Sequence, residues 1–428
     1  MKAAGPDDPA AQPTGGDSLI GNGASSSVDF LDSDFLNEAA RGAEASSPAP
    51  GSDATIVASL DARSGDDVHL TDLSFMYEGS FIRQGSDLLL MKPDGTAILI
   101  ENYFAADPPP DIVGEFGRRL TPELVDSFLM PMAPGQTAAL TDEQVAQAQG
   151  NAIGTVDTLT GEVYAIRPDG TRVLLQAGDP VFQGDQVETA DGGSLKITFI
   201  DGTIFTLGAD ARLALDEMVY DPGTQSGQSA FSILKGGFLF VSGQIAENNP
   251  NDMQVSTPVA TIGIRGTIVT GEVAGVQTAD GETFRFTVVD GEIAVSAGSQ
   301  TIVLSDNFST VSAQPDAATG QLRVFDFVDT AENVIARNSS QFRALTSTDL
   351  SNIERAIESS IQTKTGATVN IDLRGIVENV TREQQNQQQN NEFESDDQEE
   401  GPEGVEGEAP PEEGNAGEEA ARKAKRPR

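Results

Sequence analysis

The sequence predicts a mainly β protein, built either as a short β-solenoid or as a two-layer β-sandwich. Between residues 152 and 327, strand-like runs such as SLKITFI, GFLFVSG and TFRFTVV recur at a spacing of roughly eight to twelve residues. Turns that contain glycine and aspartate, such as IDGT and VDGE, separate these runs. This turn spacing fits both architectures, so the sequence leaves the choice between sandwich and solenoid open.

A smaller β module is expected ahead of this block, over residues 54–104. Apolar runs LLLM and AILI flank the sequence KPDGT there, which predicts a hairpin turn at residues 93–96. The same device returns as RPDGT and predicts a second hairpin at residues 168–171. Residues 105–150 mix proline punctuation with short helical patterns, so we expect a linker with helical turns between the two β regions.

Beyond the β block, residues 346–365 predict one amphipathic helix. Its apolar positions recur at helical spacing, and Thr346 with Asp349 fits a capping box at the start. The apolar stripe, which we expect to dock on the β domain, consists of Leu350, Ile353, Ile357 and Ile361.

Both ends of the chain are expected to be disordered. Residues 1–52 are rich in Gly, Ser, Pro, Ala and Asp, apart from one short amphipathic stretch, SSVDFLDSDFLNEAARGAE. Residues 382–428 form a low-complexity acidic tail with a basic end. Neither segment carries enough apolar surface to offset the entropy of ordering it.

Charge and residue usage exclude several function classes. The chain of 428 residues has a net charge of -41, which repels phosphate-rich partners, so no nucleic-acid binding is expected. It has no cysteine, and its one histidine, His69, lies in a polar and apolar alternation typical of a solvent-facing strand. Acidic pairs such as Asp216 and Glu217 point to opposite sides of a strand. We therefore expect no enzyme activity, no cofactor and no metal site.

Targeting features are not visible in the sequence. The first residues, MKAAGPDDPAAQPTGG, lack an apolar stretch of signal-peptide length. No window approaches about 18 uninterrupted apolar residues, the length that a membrane-spanning helix needs. We therefore expect no membrane insertion, in a chain that is either soluble or exported by a route other than a Sec signal.

One strand, TPVATIGIRGT at residues 257–267, places a single arginine among isoleucines. A period of two sets Ile262, Ile264 and Ile268 on one face and Gly263, Arg265 and Thr267 on the other. We expect Gly263 and Gly266 to admit a neighbouring backbone, and Arg265 to act as a structural strut toward carbonyls or a carboxylate. The alternative, an anion held by Arg265, is less favoured because no phosphate-cradling loop or second basic residue lies nearby.

Several motifs in this block resemble a FecR domain over about residues 154–273, continuing into the strands beyond. They are GD at 178–179 and 184–185, DGT with LG at 201–208, LKGG at 234–237, and finally TPVATIGIRGT. The family signature, for which a structural role is expected, comprises Thr257, Pro258, Gly263, Arg265, Gly266 and Thr267. The resemblance implies a β-rich module of bacterial envelope and surface proteins. The namesake regulators relay an outer-membrane receptor signal to an extracytoplasmic sigma factor.

A second resemblance concerns the β module at 54–104 and the stretch TGEVYAIRPDGTRVLLQAGDPVFQGDQV. Both are similar to the leading and retention modules of type I secreted bacterial adhesins. Together the two resemblances imply a noncatalytic interaction or scaffold protein of the cell envelope or extracellular surface, whose partner is an envelope protein or a surface polymer. The alternative is a FecR-type signal-transduction regulator of an extracytoplasmic sigma factor.

Overall fold

The computed structural model describes residues 54–131, 152–249, 252–275, 282–316 and 322–399. As the sequence predicts, this part of the protein is mainly β, with strands in sheets of five, fifteen and three strands. The expectations for residues 1–52, 132–150 and 400–428 lie outside the described residues.

The N-terminal module, residues 54–131, contains a five-stranded and a three-stranded sheet. The larger sheet, in the order β1-β5-β4-β3-β8, consists of β1 (Thr55–Asp61), β3 (Ser80–Gln84), β4 (Asp87–Met91), β5 (Thr96–Glu101) and β8 (Leu129–Pro131). The smaller sheet consists of β2 (Val68–His69), β6 (Ile112–Val113) and β7 (Arg119–Leu120), and the helices are α1 (Ser74–Tyr77) and α2 (Pro122–Ser127). The predicted hairpin joins β4 to β5, and the single histidine, His69, is exposed in β2.

The expected boundary of this module at residue 104 is wrong. Residues 105–131, predicted as a linker, supply β6, β7, α2 and β8, and these elements complete the module. Their apolar side chains Ile112, Leu120 and Leu124 are buried in the same core as the first strands. Strands of two or three residues are too short to show an alternation, so the prolines around them suggested a linker.

The fifteen-stranded sheet covers residues 154–328. Its strands are β9 (Gly154–Thr160), β10 (Val163–Ile166), β11 (Arg172–Leu174), β12 (Pro180–Val181), β13 (Gln186–Thr189), β14 (Ser194–Phe199), β15 (Ile204–Leu207), β16 (Arg212–Asp221), β17 (Ser226–Val241), β18 (Met253–Ser256), β19 (Thr261–Val273), β20 (Phe284–Ala297), β21 (Gln300–Leu304), β22 (Ser309–Pro315) and β23 (Leu322–Val328). The main path runs β11-β10-β13-β16-β17-β18-β19-β20-β22-β23, and β17 also pairs with β19. The sheet is not closed into a barrel.

One apolar core lies inside this large sheet, and we call it the sheet core. It is rich in phenylalanine, and the rings of Phe205 and Phe240 pack edge to face with their centroids 5.5 Å apart. Strands from both ends of the path contribute, from Val163 in β10 to Val311 in β22. The second predicted hairpin, with Gly170 in the left-handed region at φ 83°, joins β10 to β11 at one end of the path. At the other end, β23 pairs only with β22 among the described residues, and Val328 is 68% exposed.

Helices form a layer on the opposite face of the sheet. Apart from α3 (Gln244–Asn248), they are α4 (Ala331–Arg337), α5 (Ser339–Ala344), α6 (Ser347–Thr365) and α7 (Leu373–Glu399). They share with the sheet a second apolar core, the helical core, which contains Leu239 and Val289 from the strands and Ile353 and Ile357 from α6.

Helix α6 is the amphipathic helix that the sequence predicts over residues 346–365. Its capping box is formed, since Asp349 N–H donates to Thr346 Oγ1 at 3.2 Å and Thr346 N–H donates to Asp349 Oδ2 at 2.8 Å. The buried Lys196 of β14 reaches the same carboxylate, with its Nζ 2.7 Å from Asp349 Oδ2 and 3.0 Å from Asp157 Oδ2. A buried cation therefore fixes the start of α6 on the sheet.

The structure contains more helix than the one or two accessory helices expected. Helices α4 and α5 are only 7 and 6 residues long, too short for a recognisable apolar period. Residues 382–399, expected as part of a disordered acidic tail, instead belong to α7, which continues to Glu399. Its first turns are anchored by the buried Leu373, Val377 and Val380. Once a helix is nucleated, glutamine and glutamate extend it at little cost, which accounts for residues 382–399.

Arg212 connects the N-terminal module to the large sheet. Its side chain is buried, and its Nη1 donates to Gly79 O at 2.7 Å. Its Nε lies 3.1 Å from Glu188 Oε1, which offsets part of the cost of burying the charge. The guanidinium carbon also lies 5.1 Å from the ring centre of Phe128. Burial lowers the pKa of Arg212, although Glu188 opposes the shift.

We predict that Arg212→Ala lowers the free energy of unfolding by about 3 kcal/mol, because it leaves the Gly79 carbonyl without its donor and Glu188 with only the longer contact to Arg172. Urea denaturation measures this loss. The matched control is Arg63→Ala, which removes an exposed ion pair 3.9 Å long and should cost less than about 0.5 kcal/mol. Equal losses for the two variants would contradict the role given to Arg212.

Candidate functional site

The signature segment, residues 257–267, begins with a tight turn between β18 and β19. The buried Thr257 organises it: its Oγ1 donates to Ala260 O at 2.7 Å and accepts the Ala260 N–H at 2.9 Å. The carbonyl oxygen of the next residue, Pro258, accepts the N–H of Arg119 in β7 of the N-terminal module at 2.7 Å. Thr257 therefore holds the turn, and Pro258 ties the turn to a second module.

A β-bulge interrupts the segment after Arg265. Strand β19 pairs antiparallel with β20, and the register shifts between the pairs Arg265 with Glu292 and Ile268 with Asp290. Thr267 closes the bulge, since its Oγ1 donates to Glu292 O at 2.6 Å. The same hydroxyl accepts the N–H groups of Arg265 and Glu292 at 3.3 Å. One side chain thus satisfies the backbone that the bulge leaves unpaired.

The bulge changes which face the isoleucines use. Ile262 and Ile264 are buried in the sheet core, as expected, but Ile268 is buried in the helical core on the other face. The prediction that all three share one face is therefore wrong. A strict period of two fails where one extra residue enters a strand, because every later side chain changes face. Val269 takes the inward position instead.

Glycine is required at this bulge, but mainly at a position outside the signature. A Cβ on Gly291, which has φ 92°, would lie 2.4 Å from Gly266 O. Gly266 itself has φ 56° with no heavy atom within 4 Å of its Cβ position, and at Gly263 the nearest atom is 3.8 Å away. A second backbone does approach Gly266 closely, as expected, but the glycine that makes room for it is Gly291, while no close approach occurs at Gly263. Gly266 is needed for its left-handed backbone, and Gly291 for space.

Arg265 lies on the solvent side of the bulge. Its Nη1 donates to Glu292 Oε1 at 2.8 Å across the strand pair, and its side chain is 55% exposed. An exposed cross-strand pair of this kind contributes about 0.2–1 kcal/mol. Arg265 thus reaches one carboxylate, that of Glu292, through one of its nitrogens.

Asp185 of the second GD motif is a titratable residue that the sequence did not single out. Its side chain is fully buried, and its Oδ2 accepts the Phe182 N–H at 2.8 Å and a hydrogen bond from Arg167 Nη1. Burial raises the pKa of Asp185 to about 6, although the Phe182 N–H and Arg167 oppose the shift. The first GD motif works similarly, since Asp179 accepts the Gln176 N–H at 2.8 Å. The repetition of GD was the signal that these aspartates hold turns.

The LKGG motif at residues 234–237 borders a cavity of about 320 Å³. Tyr77 and Glu78 of the N-terminal module and Asp210 and Lys235 of the large sheet line it, and Lys235 Nζ lies 2.6 Å from Asp210 Oδ1.

Among the described residues, no group of three His, Asp or Glu side chains is placed to hold a metal ion. Nor does any helix of the described ranges have the length and apolar character needed to cross a membrane.

Fold and site define a mainly β protein whose signature strand joins two apolar cores. Residues 185–294 match the family model described as FecR protein, so the chain carries a FecR domain over this range. The match begins later than the start expected near residue 154, and it continues beyond residue 273, as expected. No curated protein matches the chain.

Three solved structures are similar to parts of the chain. Two are candidate anti-sigma factors from Parabacteroides distasonis, each with a TM-score of 0.29. The first is 14% identical over 35% of this chain and 62% of that chain. The second is 12% identical over 44% of this chain and 94% of that chain. The chain thus spans less than two thirds of the first of them. The third, described as a cell surface anchoring domain, is 40% identical over 15% of this chain and 86% of its own length, with a TM-score of 0.15. The likeness of the N-terminal module to adhesins stays a prediction.

We predict that Gly291→Ala lowers the free energy of unfolding by about 2–4 kcal/mol, because the added methyl group meets the Gly266 carbonyl and the backbone is left-handed. The matched control, Gly263→Ala on the paired strand, should cost less than about 1 kcal/mol. Thermal and urea denaturation of both variants measure the difference. A similar loss in the control would show that the bulge is not the constrained point.

A pH prediction follows from Asp185. Because its pKa is higher in the folded protein than the ordinary 3.8, the folded state binds this proton more tightly than the unfolded chain does. The resulting stabilisation is complete below about pH 4 and is lost as the pH rises through about 6. Relative to Asp185→Asn, the wild type should therefore lose stability between pH 4 and 6, measured by urea denaturation. A carboxyl ¹³C titration with a midpoint near 4 would refute it.

Proposed function

We propose that this protein is a noncatalytic FecR-type signal-transduction regulator that acts through protein contacts in the bacterial cell envelope. The observation that carries the proposal is the FecR match at residues 185–294, together with the position of the signature segment inside it. Within the segment, the Pro258 carbonyl contacts the N-terminal module, and Thr257 and Thr267 hold the turn and the bulge.

The signature segment contacts both neighbours of the FecR domain within a few residues. Pro258 accepts a hydrogen bond from β7 of the N-terminal module, and Ile268, next to the segment, packs in the helical core. A partner that displaces either neighbour would therefore act on the same strand. Such a strand can relay binding at one module to the other, which is what a regulator requires.

The charged groups of this region support a binding role over a catalytic one. Arg265 is paired with Glu292, Arg285 with Glu282, and Lys235 with Asp210. A general acid or base needs a titratable group within reach of a substrate, whereas these groups neutralise one another. The net charge of -41 favours protein partners over nucleic acid.

The scaffold hypothesis differs from the regulator in its effect on gene expression. A scaffold acts by binding other molecules at the cell surface, whereas a regulator changes the activity of a sigma factor. Removal of a regulator should therefore alter a limited set of transcripts. Removal of a scaffold should alter adhesion or surface composition alone.

We predict that deletion of the gene changes a restricted group of transcripts and that the wild-type protein restores them, measured by RNA sequencing. The variant Arg212→Ala, which separates the N-terminal module from the sheet, should fail to restore them at equal protein level. Arg63→Ala is the matched control and should restore them fully. Unchanged transcripts after deletion, with the protein open to external protease on intact cells, would favour the scaffold and overturn the regulator.

A further inference from the structure

A groove of about 620 Å³ opens between α7 and the junction of α5 with α6. Its floor consists of the buried apolar residues Phe342, Leu345, Leu350 and Val377. Three exposed arginines, Arg343, Arg374 and Arg382, line it as well, and we call it the arginine groove. An apolar floor with charged groups at its rim is the usual composition of a specific binding site.

The charge of the groove is opposite to that of the chain. The protein has 26 Lys and Arg residues against 67 Asp and Glu residues, yet the lining holds three arginines and one acidic residue, Glu378. Glu378 accepts a hydrogen bond from Arg374 at 3.0 Å, and Arg382 lies 3.5 Å from an uncharged partner, Asn379. No carboxylate of the described residues lies within 4.0 Å of the Arg343 guanidinium. At least two arginine side chains of the groove, Arg343 and Arg382, can therefore pair with carboxylates of a partner.

Helix geometry extends this positive character along the groove. The first turn of α6 contributes Ser347 and Leu350 to the lining, while its Asp349 carboxylate is already engaged by Lys196 and the capping box. On α7 the lining residues run from Arg374 to Gln385 at helical spacing. Twelve residues of helix span roughly 18 Å, or about three turns. The groove thus matches in length a short helix rather than a single small anion.

We infer that the arginine groove binds an acidic amphipathic helix of a partner protein. Apolar side chains of that helix lie on the floor, and its carboxylates pair with the rim arginines, whose planar donors suit carboxylate recognition. The rim arginines set the affinity and reject basic or neutral helices, because the floor residues are at most 8% exposed and offer a partner little apolar area. This inference deepens the proposed function, since it names the surface and the chemistry through which a regulator of this kind meets its partner.

The test uses a fluorescent 18-residue peptide with leucine and glutamate at helical spacing, titrated with the full chain and followed by anisotropy. We predict that it binds, and that the double variant Arg343→Glu with Arg382→Glu weakens the affinity about tenfold or more. The matched control, Arg323→Glu with Arg355→Glu, changes the net charge equally at exposed positions outside the groove. It should stay within about threefold of the wild type, which allows for long-range repulsion.

Three outcomes would overturn the inference. They are equal weakening by both double variants, equal binding of a leucine and lysine peptide, and displacement of the peptide by millimolar inorganic phosphate, which would indicate a small-anion site. Circular dichroism of each variant checks that the fold is kept. Because the measurement reads peptide binding alone, the inference can fail while the transcript experiment still supports the regulator.

Discussion

Strand β19 has to bury side chains in two cores that lie on opposite faces of one sheet. A regular strand would place Ile264 and Ile268, four residues apart, on the same face, because its side chains alternate strictly. The bulge at residues 265–267 solves the problem by inserting one residue, so that Ile264 faces the sheet core and Ile268 the helical core. Gly291 makes the geometry possible, since the backbone of Gly266 passes where its side chain would lie. The helical layer can dock on the sheet because of this local irregularity.

The few cations of an acidic protein are concentrated at its junctions. Arg212 is buried where the N-terminal module meets the sheet, and Lys196 where α6 begins. Each reaches groups from different elements, and the low dielectric of a buried site makes such contacts sensitive to the loss of one partner. Arg265, which the sequence makes conspicuous, is instead an exposed partner of Glu292. In this fold the contribution of a cation to stability depends on its burial and its partners, and not on its presence in a motif.

Local features were predictable from sequence, and long-range ones were not. The PDGT hairpins and the Thr346 capping box follow from turn and cap chemistry within a few residues, and the glycine-rich corners identify the β block. The bulge escaped notice because it depends on Gly291, which is distant in sequence and meets Gly266 only when β19 pairs with β20. Arg212 escaped for the same reason, since Gly79 and Phe128 become its neighbours only after the modules pack. The arginine groove joins α5, α6 and α7, two of which carry too little periodicity to be recognised in advance.

The large sheet ends at β23, whose outer edge has no strand beside it in the described part of the chain. A strand edge of this length with unpaired backbone groups, and with exposed Phe325 and Val328, is a surface along which two molecules can associate edge to edge. Proteins usually blunt such an edge locally, with a proline or an inward charge. Here the net charge of -41 keeps copies apart by mutual repulsion over a distance set by the ionic strength. Colloidal stability therefore depends on the charge of the whole surface, and concentrated salt, which screens that charge, weakens it.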